Sequence, residues 1–220
     1  DLFMQKVKET DIDIDCKFSP IFIMGLPRSG TTMIENLISS GDKTIIKGDE
    51  TGVMGKVFFS KKIIPNYDDS YLSSNFNFSK NGFIDLKKAI FNQYKQIGID
   101  PNKVIFTDKS LENFLYIDLL SIIFPKAKFI YCKRNYVANL LGILKVFLPN
   151  LLWCHSLEKI IKFMDLYKDK LTEITFEKKI NIKIVDLEDF SNNPLENAQD
   201  LFKFLGIKWN KNVLNLNTKK

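Results

Sequence analysis

Pro20-Ile-Phe-Ile-Met24 runs directly into Gly25-Leu-Pro-Arg-Ser-Gly-Thr-Thr32, and Met33, Ile34, Leu37 and Ile38 then follow at helical spacing. The order is strand, glycine loop, helix, and it narrows the choice of fold more than any other stretch of the chain. Gly25 and Gly30 have the spacing of the phosphate-cradling loop G-x-x-x-x-G-K-[ST]. Glycine lets backbone N–H groups turn inward on an anion, and the next helix offers its positive end to the same anion. The plain alternative is a strand-to-helix turn with no ligand, which the flanking strand and helix make the weaker reading. Thr31 stands where such loops carry the lysine that reaches the β- and γ-phosphates, and this speaks against triphosphate hydrolysis. Arg28 supplies a cation from within the loop.

Beyond the loop, residues 43–47 read as a short strand, 104–106 as a buried strand running to Asp108, 127–132 as another ending at Lys133-Arg134, and 180–185 as a further one. Helical patterns cover 85–97, 111–124 (closed by Pro125) and 135–148 (stopped by Pro149). Leu157, Ile160, Ile161, Met164, Leu171 and Ile174 then keep helical spacing. The last helix is punctuated by Asn193 at the N-cap, Pro194 at N1, Glu196 at N3 and Gly206 past its end. Short apolar strands alternating with helices predict an α/β class, as a three-layer P-loop-type parallel sheet with helices on both faces. One domain over 1–220 is expected, with 1–18 as a lead-in arm and 52–82, rich in Ser, Asn, Asp and Tyr from residue 60 on, as a loop or lid. The chain opens on Asp1 and not on methionine, so a piece of a longer protein is expected.

The net charge of +6, from 32 basic and 26 acidic residues, suits anionic ligands. It is too diffuse for nucleic acid, which calls for a concentrated basic stripe. No apolar run approaches the roughly 20 residues that span a bilayer, and no secretory signal pattern opens the sequence. Cys16, Cys132 and Cys154 are odd in number and far apart, so neither a disulfide framework nor a metal site follows from them. A cytoplasmic location is the expectation.

Pro27-Arg-Ser-Gly-Thr-Thr32 resembles the 5′-phosphosulfate loop of sulfotransferases that use 3′-phosphoadenosine 5′-phosphosulfate (PAPS), and other segments agree in order. Thr107-Asp-Lys-Ser-Leu-Glu-Asn-Phe114 with Ile123-Phe-Pro-Lys-Ala-Lys-Phe-Ile130 is similar to the family's "DK-P-x-N-F … FP-x-AK-x-I" segment. Arg134 resembles the arginine that opens the 3′-phosphate motif. Leu187-Glu-Asp-Phe190, Asn193-Pro194 and Phe204-Leu-Gly-Ile-Lys-Trp209 resemble the closing "YEDL … P … FLGI-x-W". Across about residues 20–210 the chain resembles bacterial sulfotransferases related to the tyrosylprotein sulfotransferases.

The resemblance implies roles. Pro27, Arg28, Ser29, Gly30, Thr31 and Thr32 would hold the 5′-phosphosulfate, with Arg28 read as a buried cation facing the donor, and Arg134 would pair with the 3′-phosphate. Gly48-Asp-Glu-Thr51 resembles a "GEET" segment, which makes Glu50 the candidate general base and Asp49 its fallback; a solvated loop acid is the competing reading of Glu50. Lys109 would stabilise charge on the transferring group. The resemblance further implies PAPS as donor with no metal required, and a small-molecule, glycan or peptide acceptor bearing a hydroxyl or amine. Departures from the family pattern are Gly142 in place of a 3′-phosphate-binding serine, Asn135-Tyr136 after Arg134, and Leu187 in place of tyrosine. His155 reads as a helix-start or packing residue. Two other functions stay open: a P-loop kinase or NTPase with Asp108 as the Mg²⁺-holding acid, and an inactive binding module on the same fold.

Overall fold

The computed structural model describes residues 20–61, 79–177, 180–209 and Val213. Every residue of strand β1 (Ile21–Met24) is buried, as a central strand flanked on both sides must be. It pairs in parallel with β2 (Thr107–Asp108) on one side and β3 (Lys128–Lys133) on the other, and β3 pairs in parallel with β4 (Ile182–Asp186). The strand order is β2-β1-β3-β4.

Side chains alternate across this sheet and divide the core in two. Phe22, Met24 and Phe129 face one layer, where the Phe22 and Phe129 rings stack at 5.4 Å across neighbouring strands. Helices α2 (Val53–Ser60), α3 (Lys80–Gln96), α4 (Ile117–Ile123) and α6 (Leu157–Glu177) bury apolar residues in that layer, among them Phe58, Tyr94, Leu120 and Tyr167. Ile21, Ile23, Ile130 and Cys132 face the opposite way. They meet α1 (Thr31–Gly41), α7 (Leu187–Asn192) and α8 (Pro194–Leu205) through Ile34, Ile38, Phe190 and Phe202. This is the three-layer α/β arrangement the sequence pattern predicts. Helix α5 (Tyr136–Leu144) follows β3 and carries the Asn139 side chain to the glycine loop.

Several local expectations shift. Residues 43–47 make only one parallel bridge, Ile46 to Phe106, beside the sheet edge. The predicted helix over 111–124 divides into a 3₁₀ segment (Leu111–Tyr116) and α4, the first part tightened by Asn113 N donating to Ser110 O. Helix α5 stops at Leu144, earlier than Pro149 suggests, because Val146 N turns back to Ile143 O. Asn193 starts α8, but its side chain donates to Asp189 and does not cap the helix. The expected loop over 52–82 begins as helix α2, with Val53, Met54, Val57 and Phe58 in the core. Gly52, at φ 60°, and Gly55 hide that helix from pattern reading. The rest of the proposed lid, 62–78, and the lead-in arm at 1–18 lie outside the described residues.

Candidate functional site

The glycine loop leaves β1 and is shaped by contacts that only a small residue permits. A Cβ on Gly25 would collide with Ser29 Oγ and come within 2.9 Å of the Cys132 carbonyl oxygen. Ser29 N donates to Leu26 O at 3.1 Å, closing the turn. Arg28 (φ 71°) and Gly30 (φ 96°) both adopt left-handed backbone. The outer rim is held from α5 and from the turn before it: Asn139 Nδ2 donates to Pro27 O at 2.6 Å, and Arg134 Nη1 donates to Arg28 O at 2.8 Å. Among the described residues, the N–H groups of Gly30, Thr31 and Thr32 find no protein acceptor, and the buried Ser29 Oγ has none either. The loop therefore keeps a set of unused donors at the start of an 11-residue helix, which is the electrostatic description of an anion seat.

Facing the loop is Lys109, whose side chain is only 5% exposed although its ammonium is ionised. It lies 2.5 Å from Asp49 Oδ1 and 2.9 Å from Glu50 Oε1. Burial on its own would lower the Lys109 pKa, but the hydrogen bonds and charges of Asp49 and Glu50 outweigh it and leave the pKa above its ordinary value. Asp49 moves the other way: its hydrogen bond to Lys109 holds the carboxyl below the ordinary value, against a smaller opposing effect of burial. Both carboxylates remain open to solvent on their outer sides. A cavity of about 350 Å³ is lined by Gly25, Pro27, Thr31, Glu50 and Lys109, with Leu111, Leu148 and Leu151 supplying apolar surface.

Arg28 and Arg134 stand elsewhere. They line a second cavity, of about 340 Å³, with Gly142 and Lys145. Arg28, expected as a buried cation, is exposed, since the left-handed turn throws its side chain outward. A Cβ on Gly142 would lie 3.1 Å from Arg28 Cβ and 3.3 Å from Arg134 Nη1, so the missing serine leaves room for the two arginines. Leu187 packs where a Cβ on Gly30 would be. Ser29 and Thr32 lie on the loop and on the first turn of α1.

Asp108 is fully buried and accepts five hydrogen bonds. Oδ2 takes Thr51 Oγ1 and Tyr94 OH, both at 2.6 Å, and Oδ1 takes the Ser110 amide and hydroxyl and Asn113 Nδ2. Burial, and then the Asp108 charge, push the Tyr94 phenol well above its ordinary value, so it stays protonated and donating. With both oxygens so engaged, Asp108 is a structural hub and has no free lone pair for a metal ion. His155 is exposed, two residues before α6, with its ring 6.4 Å from that of exposed Phe147. The buried Cys132 thiol is pushed well up by desolvation. Among the described residues, no three His, Cys, Asp or Glu side chains converge as metal ligands, and no helix is long and apolar enough to cross a membrane.

Three residues of this site escape sequence reading: Glu35, Thr107 and Asn139. Glu35 sits on the apolar face of α1, fully buried, and a charge on that face is the one signal that could have flagged it.

Against known proteins, the profile described as "Sulfotransferase family" matches residues 20–211. An uncharacterized protein of Aquifex aeolicus (strain VF5) is 27% identical over 122 residues, covering 53% of this chain but only 15% of the length of that relative. A sulfotransferase domain from the curacin biosynthetic pathway superposes with a TM-score of 0.62 at 15% identity, covering 91% of this chain and 78% of that domain. Retinol dehydratase, solved in complex with retinol and PAP, gives 0.52 at 14% identity, covering 98% and 68%. At such identities these two likenesses are of fold.

Proposed function

The chain belongs to the sulfotransferase family, and we propose that it moves a sulfuryl group from PAPS to the hydroxyl or amine of a small-molecule, glycan or peptide acceptor. The observation that carries this reading is the glycine loop itself, with three unused amides and an unpartnered buried Ser29 hydroxyl opening beside Glu50 and Lys109.

The residues fit such a donor. Unused amides at Gly30, Thr31 and Thr32 and the Ser29 hydroxyl suit sulfate and phosphate oxygens, and Thr31 in place of lysine suits a short anion better than a triphosphate. Arg28 and Arg134, side by side over Gly142, would hold the 3′-phosphate end. When bound, PAPS supplies the sulfuryl group and leaves as adenosine 3′,5′-bisphosphate. Glu50 accepts the acceptor's proton, a role its exposed oxygen can fill without disturbing the backbone that carries it. Lys109 keeps its proton and presents positive charge where negative charge builds during transfer. The kinase reading loses its metal ligand, because Asp108 is already saturated by protein donors.

Isothermal titration with adenosine 3′,5′-bisphosphate, beside MgATP, tests the donor. Saturable binding of the bisphosphate alone supports the reading, and tight binding of MgATP alone overturns it. Radiolabelled PAPS offered with phenols, glycans and a tyrosine peptide tests transfer. Bisphosphate binding with no transfer to any of these would leave a binding module in place of an enzyme.

A further inference from the structure

We propose that Glu35 is a positioning residue that ties the glycine-loop helix to the segment carrying Glu50, and so sets where Glu50 and Lys109 stand. Glu35 lies one turn into α1 and is completely buried. A buried carboxylate is costly and persists only where donors and cations compensate it. Its donors come from two other places in the chain: Thr107 Oγ1 at 2.6 Å, on β2, and the Asp49 amide at 2.9 Å. Thr107 Oγ1 in turn accepts from Gly48 N at 3.1 Å, so one carboxylate and one hydroxyl hold two consecutive amides of the 48–49 turn. Lys47 Nζ, 3.8 Å from Oε2, adds a cation on that side, where Oε2 accepts no hydrogen bond among the described residues.

The turn needs holding. Asp49 has φ 60°, a conformation a non-glycine residue adopts at a cost. Its carbonyl accepts Lys109 N at 2.9 Å, and its carboxylate meets the Lys109 ammonium. On the other side of Glu50, Thr51 is fixed to Asp108 and Gly52 N to Ser110 Oγ. The Glu50 backbone is thus anchored after it by the Asp108 hub and before it by Glu35. Of those two anchors only Glu35 belongs to the helix that starts at the loop, so it couples donor seat and base.

The catalytic consequence rests on the sulfotransferase reading; the structural one does not. Glu35→Leu conserves bulk while leaving Asp49 N and Thr107 Oγ1 without their acceptor, and Glu35→Gln keeps one accepting oxygen. In Glu35→Leu, exchange of the Asp49 amide, followed by NMR, is expected to accelerate by about tenfold or more, with Glu35→Gln close to the unaltered protein. The same variant should lose about 10²-fold in kcat, the cost of a misplaced reacting group, while its Kd for adenosine 3′,5′-bisphosphate changes less than about threefold, and Gln should restore most of kcat. Should Glu35→Leu fail to fold, Thr107→Val removes the hydroxyl that links Glu35 to Gly48 N, and exchange of the Gly48 amide, expected to accelerate about tenfold, is read with kcat in its place. Unchanged Asp49 exchange in a folded variant overturns the proposal, as does an equal loss of donor affinity and kcat. If the unaltered protein transfers no sulfuryl group, the function reading fails alone and amide exchange decides the role of Glu35.

Discussion

Lys109 Nζ lies 2.9 Å from Glu50 Oε1, joining two residues 59 apart in sequence inside the cavity that the glycine loop also lines. The pair gives acid–base chemistry a division of labour: a carboxylate free to take a proton, and an ammonium held protonated beside it. Glu50→Gln should therefore lower kcat by about 10²–10⁴-fold with little change in donor Kd. Lys109→Ala should lower turnover more than donor affinity. Steady-state kinetics beside titration with adenosine 3′,5′-bisphosphate separates these effects, and equal losses in both for Lys109→Ala would make it a binding residue only.

The third member of that cluster predicts a pH dependence of stability. Asp49 is held below its ordinary value of 3.8 by Lys109, so its contribution is present above 3.8 and is lost as pH falls through the lowered value. Lys109 is held above 10.5, so its contribution is present below 10.5 and is lost as pH rises through the raised value. Asp49→Asn should be less stable than the unaltered protein at neutral pH, by a small margin because Asp49 is largely exposed. Urea denaturation midpoints of the two proteins should converge as the pH falls from 3.8 through the lowered Asp49 value.

Asp108 predicts a stability loss of another size. Asp108→Ala leaves buried Tyr94, Thr51, Ser110 and Asn113 donors without an acceptor, and about 3–5 kcal/mol of destabilisation is expected. Urea denaturation measures it. A near-neutral result would mean the hub is not built as described and would reopen Asp108 to other roles.

Arg28 combines strain with function. Arg28→Ala removes the cation but keeps a side chain at φ 71°, whereas Arg28→Gly removes both cation and strain. Both variants should lose about 10²-fold in kcat/KM, chiefly through weaker donor binding, since Arg28 lines the cavity with Arg134 and not the one with Glu50 and Lys109. Arg28→Gly should be the more stable of the two by about 1 kcal/mol. Activity near that of the unaltered protein in either variant would refute the loop assignment.

Legibility in the sequence followed contact range. The strand–loop–helix at 20–38 and the alternation in β1 and β3 are local signals, and the sheet forms where they place it. Helix α2 was lost among polar neighbours because its N-cap is a left-handed glycine with no capping side chain. Glu50 and Lys109 were named as separate residues; that they touch is a property of the 48–52 turn folding onto the β2 edge, which no local pattern encodes. Glu35, Thr107 and Asn139 act only across long separations, on Asp49, Gly48 and Pro27, so spacing arguments could not reach them. Arg28 was placed in the correct loop but with the wrong exposure, because backbone handedness decides where its side chain goes.

Gly25 tests the loop's shape separately from its charge. A methyl group there meets Ser29 Oγ, Thr31 Cγ2 at 2.8 Å and Cys132 O at 2.9 Å. The first two are side-chain atoms that can turn away, but Cys132 O belongs to β3, which is paired on both sides. Gly25→Ala should therefore displace the loop, not the strand, costing about 1–3 kcal/mol of stability. Because the amides of Gly30 to Thr32 move with the loop, affinity for adenosine 3′,5′-bisphosphate should fall by about tenfold or more. Adding Ser29→Ala relieves one collision and leaves the carbonyl, so the double variant should recover little of that affinity. Full recovery in the double variant would mean that Ser29 alone forms the obstacle and that the β3 backbone does not shape the seat.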